Sequence, residues 1–341
     1  MTLPVDQLYR TTVVVRDLGA AAHEYAEFYG ITRWQVAQHD GFVAATGSNA
    51  SGGLSFQLIE PSSDTGSYGE FLRDAGEGVQ SICVTRAASD RLPELQAELD
   101  ALGAAPAERR TLGDDVETVL FDTRALLGGF MLEVAVSERQ DWQASLRVDE
   151  IWDVSEVVTR PKTLEFVKDT PGLNHFGVVV PDLQSVLPNY ARVFGARRWR
   201  GYHWHTAEGS LEETTYRGAS VEHGFSTARG DIGRDRFGRG FGFEVVQPSF
   251  GPTHFEDFRL RRGSGIHHLS LNLRMKDAFE WVEFQRWMET LGPVCMSGWL
   301  RDHSAMYNYS DLSARIGHVV ESGIRRRSGH EPDLWYEFND I

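Results

Sequence analysis

The chain has 341 residues, of which 41% are apolar and 24% charged, a composition typical of globular proteins and a length that predicts about two domains. The net charge of -15 argues against nucleic acid or an anionic membrane as the main partner, because both favour basic surfaces. No paired cysteine spacing, signal peptide or apolar stretch of roughly 20 residues is present, so we expect a cytoplasmic protein whose partner is a small-molecule substrate.

The first predicted elements are a β-branched strand over 8–16 and a helix that begins after Asp17 and ends at Gly30. The segment from residue 173 repeats this pattern, with Asp182 before the second helix and Gly195 after it. The repeat continues further along the chain, where each segment of the first copy has an equivalent 187 to 189 residues later in the second. The equivalent segments are 54–61 and 241–248, 78–84 and 265–271, 102–103 and 291–292, and 121–133 and 309–321. Four nearly constant separations predict two copies of one domain.

Each copy is itself double, because a strand, a helix and a few strands occur twice within it. We therefore predict an α+β fold of two tandem domains, each built from paired βαβββ units that form a curled mixed-sheet cup. The predicted bounds are 1–136 for an N-terminal domain without metal ligands, 137–172 for a connector, 173–325 for a C-terminal metal-binding domain and 326–341 for a tail. The connector contains Trp142 and Trp152, which favours an ordered segment packed on the domains.

The second copy carries an insertion that includes residues 226–240, with four glycines and four arginines. Such a segment could form a lid that captures an anionic substrate. A solvated loop is the simpler interpretation, and we expect the loop.

The strand Gly265–Leu273 contains two adjacent histidines. Because successive strand side chains point to opposite faces, His267 is predicted to share a face with Leu269, whereas His268 shares the polar face with Ser270. His268 is therefore the better candidate for a metal ligand, and His267 is expected to be covered.

Equivalent strands of the second copy offer two imidazoles and two carboxylates, a set suited to a divalent first-row metal or zinc. The predicted ligands are His175, Glu244, His268 and Glu321. Each of these residues taken alone has an ordinary structural interpretation, but their coincidence at equivalent positions favours a metal site. His318 competes with Glu321 as the last ligand but lies on the opposite strand face.

The first copy has Arg10, Gln57, Ser81 and Glu133 at the matching positions, so it is predicted to hold no metal. The fold consequently does not require the ligand set. Glycines lie two or four residues from three of the proposed ligands, at Gly177, Gly242 and Gly317. We expect these glycines to leave room above the metal for a substrate.

Four segments of the second copy resemble the vicinal oxygen chelate superfamily, which includes glyoxalase I, methylmalonyl-CoA epimerase, fosfomycin-resistance proteins and type I extradiol dioxygenases. The segments are 174–183, 243–248, 265–269 and 317–321. The resemblance covers nearly the whole chain as two consecutive domains and implies paired βαβββ cups around a divalent ion, which could be Zn, Fe, Mn, Co, Ni or Mg. By this resemblance His175, His268 and Glu321 are ligands, and Glu244 is the ligand of the glyoxalase and epimerase branch.

Further residues could take part in catalysis. His203 and His205 share a strand face and could act as acid or base at the rim of the cup, although a surface hairpin explains them equally well. Glu212 and Glu213 are additional candidate bases that the sequence does not rank. The segment 301–309 resembles the residues before the last ligand of extradiol enzymes, which points to His303 and Tyr309, although the usual proline and spacing are absent.

The favoured function is a metal-dependent isomerase, epimerase or lyase of the glyoxalase type, in which the metal polarises a carbonyl and stabilises an enolate. The alternative is an Fe(II) extradiol ring-cleaving dioxygenase, and a second alternative is a non-catalytic small-molecule binding or resistance protein. A homodimer is compatible with the sequence, which does not require one.

Overall fold

The computed structural model of the chain describes residues 7–86, 92–111, 116–136, 146–167, 169–234, 240–273, 275, 277–327 and 330–340. The strands of the N-terminal half are β1 Gln7–Val14, β2 Arg33–His39, β3 Phe42–Ser48, β4 Ser55–Pro61, β5 Gly78–Arg86, β6 Pro106–Thr111, β7 Glu117–Phe121, β8 Met131–Val136 and β9 Glu150–Asp153. Those of the C-terminal half are β10 Leu173–Val179, β11 Arg198–His205, β12 Leu211–Tyr216, β13 Gly224–Arg234, β14 Gly240–Phe250, β15 Gly265–Leu271, β16 Val294–Leu300, β17 Ala305–Asp311, β18 Val319–Arg325 and β19 Leu334–Glu337.

Helices connect these strands at equivalent places in the two halves. They are α1 Leu18–Tyr29, α2 Gly66–Ala75, α3 Leu92–Ala101, α4 Arg124–Leu127, α5 Leu183–Phe194, α6 His254–Arg262, α7 Ala278–Leu291 and α8 Ser313–Ile316, with short 3-10 segments at Ser155–Val157 and Lys162–Val167. None of the helices in the described part of the chain is long and apolar enough to cross a membrane. The helices α2 and α6 are additions to the elements that the sequence pattern predicted.

The two long equivalent helices begin and end as the sequence predicted. The Asp17 carboxylate caps α1 by accepting from the Ala20 amide, and the Asp182 carboxylate caps α5 by accepting from the Gln184 amide. Gly30 and Gly195 end these helices in the left-handed conformation, with φ of 70° and 75°. Identical start and stop chemistry therefore recurs in both copies.

Each half of the described chain forms one curled mixed sheet. The strand order is β6-β7-β8-β5-β1-β4-β3-β2-β9 in the first sheet and β12-β16-β17-β18-β15-β10-β14-β13-β11-β19 in the second. At the centre of each sheet the first strands of the two βαβββ units pair antiparallel, β1 with β5 and β10 with β15. The predicted α+β fold of tandem cups is confirmed.

The connector and the tail each add an edge strand to a sheet. β9 from the connector pairs with β2, where Trp152 lies opposite Trp34. β19 from the tail pairs with β11, where Trp335 lies opposite Arg200. Trp142 lies outside the described residues. The tail was predicted as a separate segment, whereas residues 334–337 extend the C-terminal sheet.

The insertion of the second copy is not a loop where it is described. Residues 224–234 form β13, which pairs antiparallel with β14 along most of its length, so the expectation of a solvated loop is wrong for 226–234. Residues 235–239 lie outside the described part of the chain. The insertion therefore lengthens two neighbouring strands of the second cup.

The two copies pack through equivalent contacts. The Tyr25 hydroxyl of α1 donates to the Ile316 carbonyl at the end of α8, 2.8 Å away, and the Tyr190 hydroxyl of α5 donates to the Leu127 carbonyl at the end of α4, also 2.8 Å away. A single apolar core contains residues of both copies, including the stacked pair Phe28 and Trp287. The interface is consequently pseudosymmetric and has an apolar core that both copies share.

The cup of the first copy is filled by its own side chains. Arg10 Nη2 donates to both carboxylate oxygens of Glu133, at 2.9 and 3.0 Å, and both side chains of this salt bridge are 1% exposed. The residual cavity beside Arg10 and Gln57 has a volume of about 20 Å³. As far as the described residues show, the N-terminal cup thus leaves no room for a substrate beside Arg10.

The Arg10–Glu133 pair generates a prediction about stability. Arg10→Met leaves a buried carboxylate without its cation and should lower the free energy of unfolding by about 3–5 kcal/mol, whereas the double variant Arg10→Met/Glu133→Leu should lie close to the wild type. Guanidinium unfolding of the three proteins at pH 7 measures both values. A single variant as stable as the wild type would contradict the role of the ion pair.

This prediction has a pH dependence of known sign. The pKa of Glu133 lies below its ordinary value of 4.5, because Arg10 and Arg110 outweigh the effect of burial. The stabilisation is therefore complete above pH 4.5 and is lost as the pH falls through the lower pKa of the folded protein.

Candidate metal centre

Four strands of the second sheet bring two imidazoles and two carboxylates to one point. The donor atoms of His175 on β10, Glu244 on β14, His268 on β15 and Glu321 on β18 all lie within 4.8 Å of one another. These strands are neighbours in the order β18-β15-β10-β14, and each contributes one residue to the concave face. The structure thus brings together all four predicted ligands.

The separations between the donor atoms match the edges of a coordination polyhedron. His175 Nε2 lies 2.8 Å from Glu321 Oε2, 3.5 Å from Glu244 Oε2 and 3.4 Å from His268 Nε2. His268 Nε2 lies 3.6 Å from Glu244 Oε2 and 3.7 Å from Glu321 Oε2. Bonds of about 2.1 Å to one ion give edges of about 3.0 Å in an octahedron and about 3.4 Å in a tetrahedron. One ion therefore fits among the four donors.

Both imidazoles direct Nε2 to this common point and use Nδ1 for a neighbouring side chain. His175 Nδ1 lies 2.9 Å from Asn174 Oδ1, which can only accept, so this nitrogen carries the proton and leaves a lone pair on Nε2. Asn174 is in turn held by its amide group, which donates to Asn272 Oδ1 at 3.0 Å. This is the arrangement that orients metal-binding histidines in proteins.

The electrostatics of the cluster also favour a cation. Burial and Arg229 lower the pKa of His175, but the two carboxylates outweigh them and raise it above its ordinary value. The pKa of Glu244 lies well below its ordinary value, because His175 outweighs the effect of burial. Glu321 Oε2 is buried and lies 2.8 Å from His175 Nε2. Burial raises the pKa of Glu321, but His175 outweighs this effect and holds the pKa below its ordinary value, so the cluster favours positive charge next to both carboxylates.

The second histidine of the pair has an unexpected place. The register between β10 and β15 shifts between Gly177 and Val178, which makes His267 the extra residue of a β-bulge. His267 packs on the helix α6, against Phe258 and His254, and not with Leu269, which belongs to another apolar cluster. Its burial was predicted, but its assignment to the leucine face is wrong.

The bulge places His267 against the ligand beside it. His267 Nδ1 lies 3.1 Å from His268 Nδ1, so one nitrogen donates and the other accepts. The first copy has the same bulge, with Gln80 in the place of His267, since the register shifts there between Thr12 and Val13. The bulge is a property of the fold, and the imidazole in it is particular to the second copy.

The glycines beside the ligands serve a different purpose from the one predicted. A Cβ atom on Gly177 would lie 1.9 Å from the His268 ring, so this glycine makes room for the ligand itself. A Cβ on Gly242 would meet the Gly230 carbonyl at 2.2 Å, and Gly317 ends α8 with φ of 79°. None of the three glycines creates space for a substrate.

A cavity of about 890 Å³ opens above the four donors. Its inner wall contains His175, Glu244 and Glu321, and its side walls carry aromatic and basic residues. These are Arg200, Tyr202, Trp204, Phe225, Arg229, Tyr307, Tyr309, Arg325, Arg327, His330 and Trp335. Tyr309 is 4% exposed, and its ring centroid lies 5.1 Å from that of His268, so this predicted catalytic residue does face the site.

The predicted catalytic histidines do not reach the cavity. His205 stacks on Phe250 with ring centroids 5.0 Å apart, and His203 bonds to Ser226, because the opposite face of β11 points into the cup. His303 lies in a turn with φ of 50°. It is bound by the two remaining candidates, Glu212 at 2.7 Å and Glu213 at 3.1 Å, and none of these three residues lines the cavity. The assignments of His205 and His303 are corrected accordingly.

Residues that the sequence reasoning missed line the cavity instead. Tyr202 and Trp204 occupy the inner face of β11, and Arg229 on β13 lies directly opposite Glu244. His330 contacts Ser304, with 2.5 Å between Nε2 and Oγ. The alternation in β11 allowed either face to be the inner one, and only the pairing with β13 decides it.

His318, the rival for the last ligand, is excluded by its surroundings. Its Nε2 lies 2.7 Å from the Tyr29 hydroxyl of the first copy, and burial lowers its pKa to about 3. It therefore belongs to the contact between the two copies.

No family model and no curated protein sequence matches the chain. Among solved structures, a variant of 4-hydroxymandelate synthase from Streptomyces coelicolor aligns over 97% of this chain and 95% of that chain, with 12% identity and a TM-score of 0.61. The Mn(II)-bound glyoxalase from Novosphingobium aromaticivorans covers 94% and 82% with 13% identity and a TM-score of 0.49. A methylmalonyl-CoA epimerase from Streptomyces coelicolor covers 40% and 99% with 21% identity and a TM-score of 0.33.

These identities are too low to transfer an activity, and the first alignment alone has a TM-score that supports a common architecture. The expected resemblance is confirmed at this level. The chain shares the tandem fold of the 4-hydroxymandelate synthase variant over nearly its whole length.

Proposed function

We propose that the C-terminal cup is the active site of a divalent-metal enzyme that isomerises, epimerises or cleaves a carbonyl compound. The observation that carries this proposal is the position of Glu244, whose carboxylate joins His175, His268 and Glu321 at one point. Four protein ligands leave two positions of an octahedron, which suits two oxygens of one substrate. The two-His, one-carboxylate triad of Fe(II) oxygenases leaves more positions open.

A divalent ion held by these residues would act as a Lewis acid on the substrate carbonyl and lower the energy of the enolate formed next to it. The protein residues around it orient the substrate and move the proton. Burial, followed by the nearby Glu321 and Glu244, raises the pKa of Tyr309 well above its ordinary value. Its phenol therefore stays protonated and serves as a hydrogen-bond or proton donor to a substrate oxygen.

The proton acceptor that we assign is His330. Apart from His175, it is the one imidazole that lines the cavity among the described residues. Burial, followed by Arg301, lowers its pKa below the ordinary value, so the ring is neutral at pH 7. Ser304 holds its Nε2 at the cavity wall.

The dioxygenase alternative loses part of its support, because His303 binds Glu212 and does not line the cavity, whereas Tyr309 of the same segment does. The binding-protein alternative requires no metal, so it is distinguished by metal analysis of the purified protein. A protein that neither contains nor takes up a divalent ion would overturn the enzyme proposal.

Glu244→Gln tests the four-ligand centre. Loss of a residue that only hydrogen-bonds to a metal ligand lowers metal affinity by roughly 10–100-fold. Removing a charged ligand itself should weaken the affinity for Zn(II) or Co(II) by more than this. Competition with a chromophoric chelator measures this affinity, and Gln57→Ala, at the equivalent position of the first cup, is the matched control. Wild-type affinity in Glu244→Gln would remove Glu244 from the ligands and favour the dioxygenase.

His267→Gln tests the contact that orients His268. Glutamine is the residue that the fold accepts in the equivalent bulge, so the variant should keep its unfolding midpoint in the metal-free state. Its metal affinity should fall by about 10–100-fold, because the His268 ring loses its partner. An unchanged affinity would mean that His267 is only a packing residue.

The reaction class is tested by hydrogen exchange. The metal-loaded protein in D₂O should exchange the proton next to the carbonyl of a suitable substrate, and His330→Ala should slow this exchange about 100-fold or more. Tyr309→Phe should reduce turnover with unchanged metal affinity. Formation of a yellow ring-fission product from catechols by the Fe(II) form in air would instead establish the dioxygenase.

A further inference from the structure

Two arginines lie directly opposite each other on the inner face of the second cup. Arg200 on β11 and Arg229 on β13 are register partners in an antiparallel pair, and both line the cavity. Side chains in this relation are close neighbours, and like charges there destabilise the sheet. An arrangement of this kind needs a compensating anion.

The described residues compensate this pair only weakly. Arg200 lies 3.7 Å from Asp231, whose side chain is 85% exposed, so the pair is well solvated. Arg229 donates to Asn174 Oδ1, the same oxygen that accepts from His175. No carboxylate of the described residues lies within ion-pair distance of Arg229, although Glu244 is its register partner on β14.

The first copy shows that the fold does not need these arginines. Gln35 and Thr46 occupy the equivalent opposed positions on β2 and β3, and Thr46 accepts from the Gln57 amide at 3.3 Å. The neutral pair, Gln35 and Thr46, lies in the cup that is filled by its own side chains, whereas the two arginines lie in the cup with the open cavity. The arginines therefore belong with the ligand that enters the cavity.

An apolar wall continues from the arginine pair along the same strand. Tyr202 and Trp204 follow Arg200 on the inner face of β11, and their rings stack with centroids 5.4 Å apart. Phe225 and Tyr307 line the cavity with them. Such a surface suits a flat or apolar group attached to the anion.

We propose that Arg200 and Arg229 bind the carboxylate of an organic acid whose aromatic or other apolar part lies against Tyr202 and Trp204. Guanidinium groups form bidentate hydrogen bonds with carboxylates, and two of them can hold one carboxylate beside the metal donors. That this acid is the substrate rests on the proposed function, but its binding does not require the metal.

Phenylacetate is the probe, and its neutral amide, phenylacetamide, is the matched comparison. Isothermal titration of the metal-free and Zn(II)-loaded protein should show phenylacetate binding at least tenfold tighter than the amide. Arg229→Gln and Arg200→Gln should each abolish this preference. Arg229→Lys keeps the positive charge but cannot form the bidentate hydrogen bonds of a guanidinium group, so it should retain part of the preference. Arg286→Gln on the exposed face of α7 is the control and should bind like the wild type.

Equal affinity for acid and amide, or wild-type affinity in both glutamine variants, would overturn the proposal. Phenyl phosphate bound tenfold tighter than phenylacetate would overturn the carboxylate assignment in favour of a phosphate. Zn(II) titrations of the same variants separate the two proposals. A protein that binds the carboxylate selectively but takes up no metal would contradict the proposed metal enzyme and leave the carboxylate site supported. Circular dichroism verifies that each variant is folded.

Discussion

Buried carboxylates that require a cation are the constraint on which both cups depend. In the first cup the cation is part of the chain, since the Arg10 guanidinium occupies the place of His175 and binds Glu133 in two hydrogen bonds. In the second cup the equivalent carboxylate, Glu321, lies beside a second carboxylate and two imidazoles, and none of the described residues places a guanidinium group between them. An isolated buried charge of this kind is too costly to persist. The same fold thus closes one cup with an arginine and presents in the other a donor set that suits an added ion.

The first copy is also a structural support of the second. Tyr29 holds His318 next to the start of β18, the strand that carries Glu321, and Tyr25 fixes the end of α8 just before it. Equivalent contacts run in the opposite direction, from Tyr190 to the end of α4. Because ligand geometry at a metal must be held to fractions of an ångström, a rigid apolar interface behind the ligand strands favours a preorganised site.

The sequence predicted the elements, the tandem repeat and the four donors. Each of these follows from features within a short segment, namely the alternation of side chains along a strand and the capping residues of a helix. The prediction failed where one residue alters the alternation or where both strand faces are plausible. The bulge moved His267 away from Leu269, and the face of β11 was assigned to His205, whereas Trp204 points inward. The Cβ position of Gly177 is filled by the His268 ring, a contact between strands that no single strand reveals. Those outcomes depend on pairing between distant segments.

The charges of the second cavity restrict what can bind there. A divalent ion would balance the carboxylates of Glu244 and Glu321, which leaves Arg200 and Arg229 without full compensation on the same wall. A neutral ligand would leave the opposed guanidinium groups uncompensated in a partly desolvated cavity, whereas an acid would satisfy them and keep its adjacent oxygens free for the ion. Anchoring the acid on β11 and β13 also fixes its distance from β10 and β15, where the donors lie. Selectivity would therefore be set by β11 and β13, and chemistry by the strands that carry the donors. The first cup, which lacks both the arginine pair and the ligand set, shows that neither is needed for folding.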